Sequence, residues 1–259
     1  MSNEQLCTSN LNARFRSRLF ATMAALAISS TAAISEDAPW GYGPSNGPEH
    51  WGEVAPICAA GSEQSPIDLV EQTSTQAAVA PVVYNWKPFT PKLLNNGHTI
   101  EMGASGEGGD ISIGDKSYDL LQIHFHHLSE HTFSGQHRDI ETHLVHRSKQ
   151  GDIVVVSITF VKGDENQLFQ SIEPVLDDAG KMVPGTMEID PNELLPTDHS
   201  AFRYKGSLTT PGCFEVVTWH VLQEPVTASS EQINGFSAVF PNNYRPVQDL
   251  GRRYVLFSD

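Results

Sequence analysis

Residues Leu120-Leu121-Gln122-Ile123-His124-Phe125-His126-His127 alternate polar and apolar side chains with a period of two. On a β-strand, residues two apart share a face, so Gln122, His124 and His126 point one way and Leu121, Ile123 and Phe125 the other. The second set reads as a core face. The first puts two imidazoles and an amide on what would otherwise be a buried surface, which is costly unless something uses them.

A second stretch, Ile140-Glu141-Thr142-His143-Leu144-Val145, repeats the pattern, with Glu141, His143 and Val145 on one face. If the two strands pair, three imidazoles converge. Three neutral imidazoles suit Zn2+ and leave a fourth position open, as in catalytic zinc sites, whereas structural sites favour cysteine. Gln122 and Glu141 each stand two residues before a histidine, placed to accept the N–H of a metal-binding ring. Of the remaining histidines, His50, His137 and His199 read as surface or loop residues. His127 and His146 fall on the opposite strand faces and read as packing or hydrogen-bonding residues.

Outward from this pair, short apolar or alternating blocks recur at 81–86, 98–102, 111–113, 118–127, 141–147, 153–161 and 214–221. Turn signals such as Asn95-Asn96-Gly97, Gly108-Gly109-Asp110 and Gln150-Gly151-Asp152 separate them. The expected fold is α+β and β-dominated, a single domain with a large, mostly antiparallel sheet. Helical pattern is sparse: 165–175 is one candidate, and 229–236 is another, with Ser229 or Ser230 as N-cap. The Gly/Pro-rich segment 39–56, with Trp40 and Trp51, reads as ordered coil.

Sixteen Lys+Arg against 31 Asp+Glu give a formal net charge of −15, which argues against a nucleic-acid partner. At the N-terminus Arg14, Arg16 and Arg18 precede a weakly apolar Ala/Ser-rich run, Leu19 to Ala33, too short to span a bilayer comfortably. Residues 1–35 are expected to be a cleaved signal peptide and 36–259 the functional domain, in a periplasmic or secreted protein; a retained amphipathic leader is the alternative. Cys7 would leave with the leader. Cys58 and Cys213 remain, an even pair in an oxidising compartment that reads as a disulfide, with two free buried thiols as the alternative.

Many short landmarks occur in a fixed order: Trp40-Gly-Tyr-Gly, Gly47-Pro-Glu-His-Trp51, Gln64-Ser-Pro-Ile67, Asn95-Asn-Gly-His98, Gln122-Ile-His-Phe-His126, Ser129-Glu-His-Thr132, Glu141-Thr-His-Leu-Val-His146, Gly206-Ser-Leu-Thr-Thr-Pro211, Val217-Thr-Trp219 and Asn243-Tyr-Arg-Pro246. From Trp40 onward the chain thereby resembles the alpha-class carbonic anhydrases of the secreted bacterial type. The resemblance implies a central, roughly ten-stranded, mainly antiparallel twisted sheet with a few surface helices. It also implies reversible hydration of CO2 to bicarbonate and a proton, by a zinc-bound hydroxide at the bottom of a conical cleft.

Carried onto this chain, the resemblance makes His124, His126 and His143 the zinc ligands, supported by Gln122, Glu141 and the backbone of Asn243. It makes Thr209 the residue that orients the hydroxide and Glu130 its acidic partner. Val145, Val155, Leu208, Thr210 and Trp219 would line the CO2 pocket. His98 would be the proton shuttle, with Tyr42, Asn96 and Glu101 along the water chain. Cys58 and Cys213 match the disulfide of extracellular members. Sulfonamide and anion inhibitors would be expected to bind, and the mature chain would be a monomer or homodimer outside any membrane. Three departures stand out: Gly212 where a second proline is common, His127 for a frequent tryptophan, and Glu101 for a frequent asparagine. The alternative is a non-catalytic binding domain of the same fold.

Overall fold

The computed structural model describes residues 40–258; the expected signal peptide, with Arg14, Arg16, Arg18 and Cys7, lies outside the described residues. Fifteen strands follow in chain order: β1 (Asp68–Leu69), β2 (Thr75–Gln76), β3 (Val82–Trp86), β4 (Lys92–Asn95), β5 (Ile100–Gly103), β6 (Gly109–Ile113), β7 (Lys116–His126), β8 (Thr132–Phe133), β9 (Ile140–Ser148), β10 (Ile153–Lys162), β11 (Met182–Pro184), β12 (Ala201–Gly206), β13 (Val217–Leu222), β14 (Val226–Ala228) and β15 (Leu256–Ser258). The α-helices are few and short: α1 (Trp51–Val54), α2 (Ile57–Ala60), α3 (Gln167–Ile172) and α4 (Ser230–Val239).

Thirteen strands form one sheet with the central order β11-β4-β5-β7-β9-β10-β13-β12-β15-β2. The ten strands of this path match the expected sheet, β3, β6 and β14 pair beside it, and the whole is mixed but mainly antiparallel. β10 runs parallel to both β13 and β14, and β15 runs parallel to β2, while the other pairings within it are antiparallel. β13 can lie parallel beside β10 because the long excursion through α3 and β12 carries the chain back to the same end of the sheet. β1 and β8 make a small parallel pair apart from it.

β7 and β9 pair antiparallel, with His124 opposite His143 and His126 opposite Glu141. The expected core face of β7 needs one correction. The register shifts between Leu120 and Gln122, leaving Leu121 as an extra residue. Such a bulge resets the alternation, so Leu120, not Leu121, joins Ile123 and Phe125 in the core, and Leu121 is half-exposed.

That core covers one face of the sheet. α3 and α4 pack on it through Phe169 and Phe236, whose rings lie 5.6 and 5.7 Å from the Phe125 ring. Burying each phenyl contributes about 1.5–3 kcal/mol. Ser229 caps α4 in a reciprocal capping box with Gln232, and Asn166 caps α3. The helix expected over 165–175 is shorter and ends in a 3-10 turn, Glu173–Val175, because Pro174 lacks the N–H that would continue it. The segment expected as coil contains a 3-10 turn, Pro48–His50, and α1. Among the described residues, no helix is long and apolar enough to cross a membrane.

Candidate metal centre

The opposite face of β7 and β9 presents the three histidines. One ligand-capable atom from each of His124, His126 and His143 lies within 4.8 Å of the others. What each ring does with its second nitrogen decides whether the cluster suits a metal.

His126 Nδ1 donates to the Asn243 carbonyl at 2.8 Å. A carbonyl only accepts, so Nε2 carries the lone pair, and this buried atom has no hydrogen-bond partner. His143 Nε2 donates to Glu141 Oε1 at 2.8 Å, leaving the lone pair on Nδ1. His124 Nδ1 donates to Gln122 Oε1 at 2.8 Å, leaving it on Nε2. The 3.3 Å approach of His124 Nε2 to His143 Nδ1 therefore sets two acceptors face to face with no proton between them. Three lone-pair nitrogens gathered this closely fit a divalent cation, and an all-imidazole set of three suits Zn2+. Burial holds all three rings below their ordinary pKa, His126 down to about 4, so they stay neutral, as metal ligands must be.

Glu141 anchors this arrangement. Its Oε1 accepts from His143 Nε2, His131 Nδ1 and Ser157 Oγ, and its Oε2 from the His131 backbone N–H, at 2.6–2.8 Å. Burial alone would raise its pKa, but His131, His143 and their hydrogen bonds outweigh that and hold it well below the usual carboxylate range. Sequence reasoning did not assign roles to His131 or Ser157. His131 is fully buried, with its Nε2 2.7 Å from the Tyr204 hydroxyl, which lies 2.9 Å from Ser65 Oγ. The landmark containing Ser129, Glu130 and His131 was the available signal, but alternation is silent about a residue outside the strands.

Glu130 is also buried. Its Oε1 accepts from the Arg245 backbone N–H at 2.8 Å, while Oε2 has no hydrogen-bond partner. Burial first, against the opposing pull of His143, pushes its pKa up to about 7. Thr209 and the Arg245 N–H draw that pKa down in turn. A cation at the histidines would lower it further. Arg245, also missed, is buried and uses its guanidinium to tie Gln64 Oε1, the Ser65 carbonyl and the Cys58 carbonyl together.

Val155 and Trp219 are buried in one apolar cluster, against which Val145 and Leu208 pack. The Trp219 ring meets His143 edge-on at 4.8 Å, and its Nε1 donates to the Ser207 carbonyl. Thr210 belongs to the turn closed by Cys213 N–H to the Thr210 carbonyl. Cys58 and Cys213 form a disulfide with Cα atoms 5.1 Å apart. It closes that turn beside Gly212, whose φ of +97° a proline could not adopt. The cystine packs with Trp51, and Trp40 and Tyr42 lean on this group.

His98 is half-buried and stacks on Trp40, with centroids 3.9 Å apart and planes 7° from parallel. Burial lowers its pKa. Asn96 Oδ1 accepts from the His98 and Thr99 backbone N–H groups, so Asn96 shapes the turn. Tyr42 lies 6.4 Å from the His98 ring, and burial, with Glu130, holds its hydroxyl well above its usual pKa. Glu101 stands opposite His124 on β5, half-buried, with its pKa raised by burial. Of the histidines read as bland, His137 and His199 are exposed, His50 is partly exposed, and His146 is buried and accepts from Trp86 Nε1 at 2.8 Å.

Known proteins resemble this chain along most of its length. Residues 46–259 match the family model described as eukaryotic-type carbonic anhydrase. A carbonic anhydrase from Nostoc sp. is 41% identical over 233 residues, covering 84% of this chain and 85% of that protein. Among solved structures, the alpha-carbonic anhydrase of Thermovibrio ammonificans in complex with the inhibitor sulfanilamide superposes with a TM-score of 0.81 at 42% identity, covering 85% of this chain and 99% of that one. Dioscorin complexed with ascorbate superposes with a TM-score of 0.78 at 32% identity, covering 85% and 98%.

Proposed function

The chain belongs to the alpha, or eukaryotic-type, carbonic anhydrase family, whose reaction is CO2 hydration, and from that premise we propose how its own residues carry the reaction. Zn2+ held by His124, His126 and His143 would supply the Lewis acidity that brings the pKa of water to about 7. The convergence of three lone-pair nitrogens, each fixed by a hydrogen bond on the far side of its ring, is the observation that carries this reading.

Gln122, Glu141 and the Asn243 carbonyl keep those rings in the required tautomer and orientation. Thr209, donating its hydroxyl hydrogen bond to Glu130, would accept one from the attacking hydroxide and so orient it. Val145, Val155, Leu208 and Trp219 present an apolar wall where uncharged CO2 is held without competing water, with Thr210 at its rim. His98 takes the product proton on a ring nitrogen and hands it to buffer, with Tyr42, Asn96 and Glu101 bordering the path. Because the supporting set is complete, a non-catalytic binding module is not favoured. Sulfonamides and small anions should inhibit by competing at the three histidines. Export to a periplasmic or extracellular compartment, after cleavage near residue 35, is the setting in which the Cys58–Cys213 disulfide persists.

Stopped-flow CO2 hydration by the purified chain, before and after chelation, tests the reading. Fast hydration that is lost on chelation and restored by zinc is expected. A folded, zinc-loaded chain without hydration would overturn it.

A further inference from the structure

On β12 and β13, Arg203 and His220 stand directly opposite each other, on the face of the sheet away from their neighbour Trp219. Tyr84 of β3 covers them, its hydroxyl 3.1 Å from His220 Nε2, and the His199 ring meets Tyr84 edge-on at 5.7 Å. Together with Ser258 these residues line a cavity of about 160 Å³. Among the described residues the wall holds a guanidinium, two imidazoles and two hydroxyls, and no carboxylate, in a chain whose net charge is −15.

The donors are not used up. One Nη of Arg203 donates to the Ala80 carbonyl at 2.9 Å, but its Nε is buried without a partner. His220 is 4% exposed, and its buried Nδ1 is likewise without a partner. Burial and the neighbouring Arg203 keep the His220 ring neutral, with a pKa down to about 3, and burial keeps the Tyr84 phenol protonated. When the phenol donates to Nε2, Nδ1–H is the free donor. Among the described residues Arg203 forms no ion pair. The acids close in sequence are engaged elsewhere: Asp198 accepts from Ser200 N–H and Oγ, and Glu224 from the Asp198 backbone N–H. A half-buried guanidinium with an unmatched N–H is costly unless a counter-charge joins it.

We propose that this cavity binds a small oxyanion, of the sulfate, carboxylate or bicarbonate type, through Arg203 Nε–H and His220 Nδ1–H. Charge-assisted bonds to two oxygens of one anion would satisfy both orphaned groups at once.

Calorimetric titration of the purified full chain with sodium sulfate, using sodium chloride to hold ionic strength, tests this. Arg203→Gln should weaken sulfate binding about 10- to 100-fold while leaving CO2 hydration unchanged, and the binding should persist after chelation. Equal binding by wild type and Arg203→Gln, or binding lost with the metal, would overturn it. Should the variant fail to fold, crystals of the wild-type chain soaked in selenate decide. An anomalous peak between Arg203 Nε and His220 Nδ1 supports the site. Water alone there, a carboxylate of the chain itself, or a peak without binding in solution (an adventitious ion only) overturns it.

Discussion

His124 Nε2 lies 3.3 Å from His143 Nδ1, and neither nitrogen can lend the other a proton, because each ring spends its N–H on Gln122 or Glu141. Without a cation, those two lone pairs and that of His126 Nε2 repel one another in a buried space. Zinc should therefore stabilise the fold as well as serve the reaction. A ligand present at a thousand times its dissociation constant adds about 4 kcal/mol. Chelation should lower the melting temperature by several degrees, and His143→Ala should abolish both stoichiometric zinc and the zinc-dependent rise. A His143→Ala variant that keeps one zinc per chain would refute the ligand assignment.

The stacked His98 should govern turnover and not CO2 capture. His98→Ala is expected to reduce kcat about a hundredfold, to leave kcat/KM nearly unchanged, and to recover in imidazole buffer. The ring must be neutral to accept a proton, and burial lowers its pKa. Hydration kcat in wild type should therefore rise with pH through a midpoint below the ordinary 6.5. Equal losses in kcat and kcat/KM, without rescue, would remove His98 from the proton path.

The disulfide joins residues 155 apart in sequence. Replacing both cysteines by serine should cost about 2–5 kcal/mol in urea unfolding. It should also loosen the turn that carries Thr209 and Thr210, so catalytic efficiency should fall even where the variant is fully folded. Unchanged urea midpoint and unchanged kinetics would show that Arg245 and Gln64 hold the segment without it.

His146 is buried against Trp86, with a pKa held down to about 3 by burial. Between that value and the ordinary 6.5 the unfolded chain binds a proton that the fold refuses. The associated stability is thus complete above pH 6.5 and is lost as pH falls, by up to about 1.4 kcal/mol per pH unit. His146→Gln keeps an acceptor for Trp86 Nε1 but does not titrate. Its stability, measured by urea unfolding across pH 4–7, should fall less steeply with acid than that of wild type; identical slopes would contradict the assignment.

Local pattern determined a good deal. Period-two alternation is a property of a single strand, so it alone placed Gln122 beside His124 and Glu141 beside His143 on the side of their strands away from the core. The capping residue Ser229 and the close spacing of turn signals were equally local, and they bounded α4 and the β-rich class. Tertiary structure decided the rest. The bulge that exchanges Leu121 for Leu120 depends on the partner strand, β9, as does the pairing of His124 with His143. Asn243 meets His126 across 117 residues, and Tyr204 meets His131 across 73. The parallel seating of β13 beside β10 depends on where the intervening excursion returns. Arg203 and His220 reveal their unspent donors only once β12, β13 and β3 have met. A hydrogen bond leaves its donor's identity in the sequence but not the address of its acceptor, and only the packed chain supplies that address.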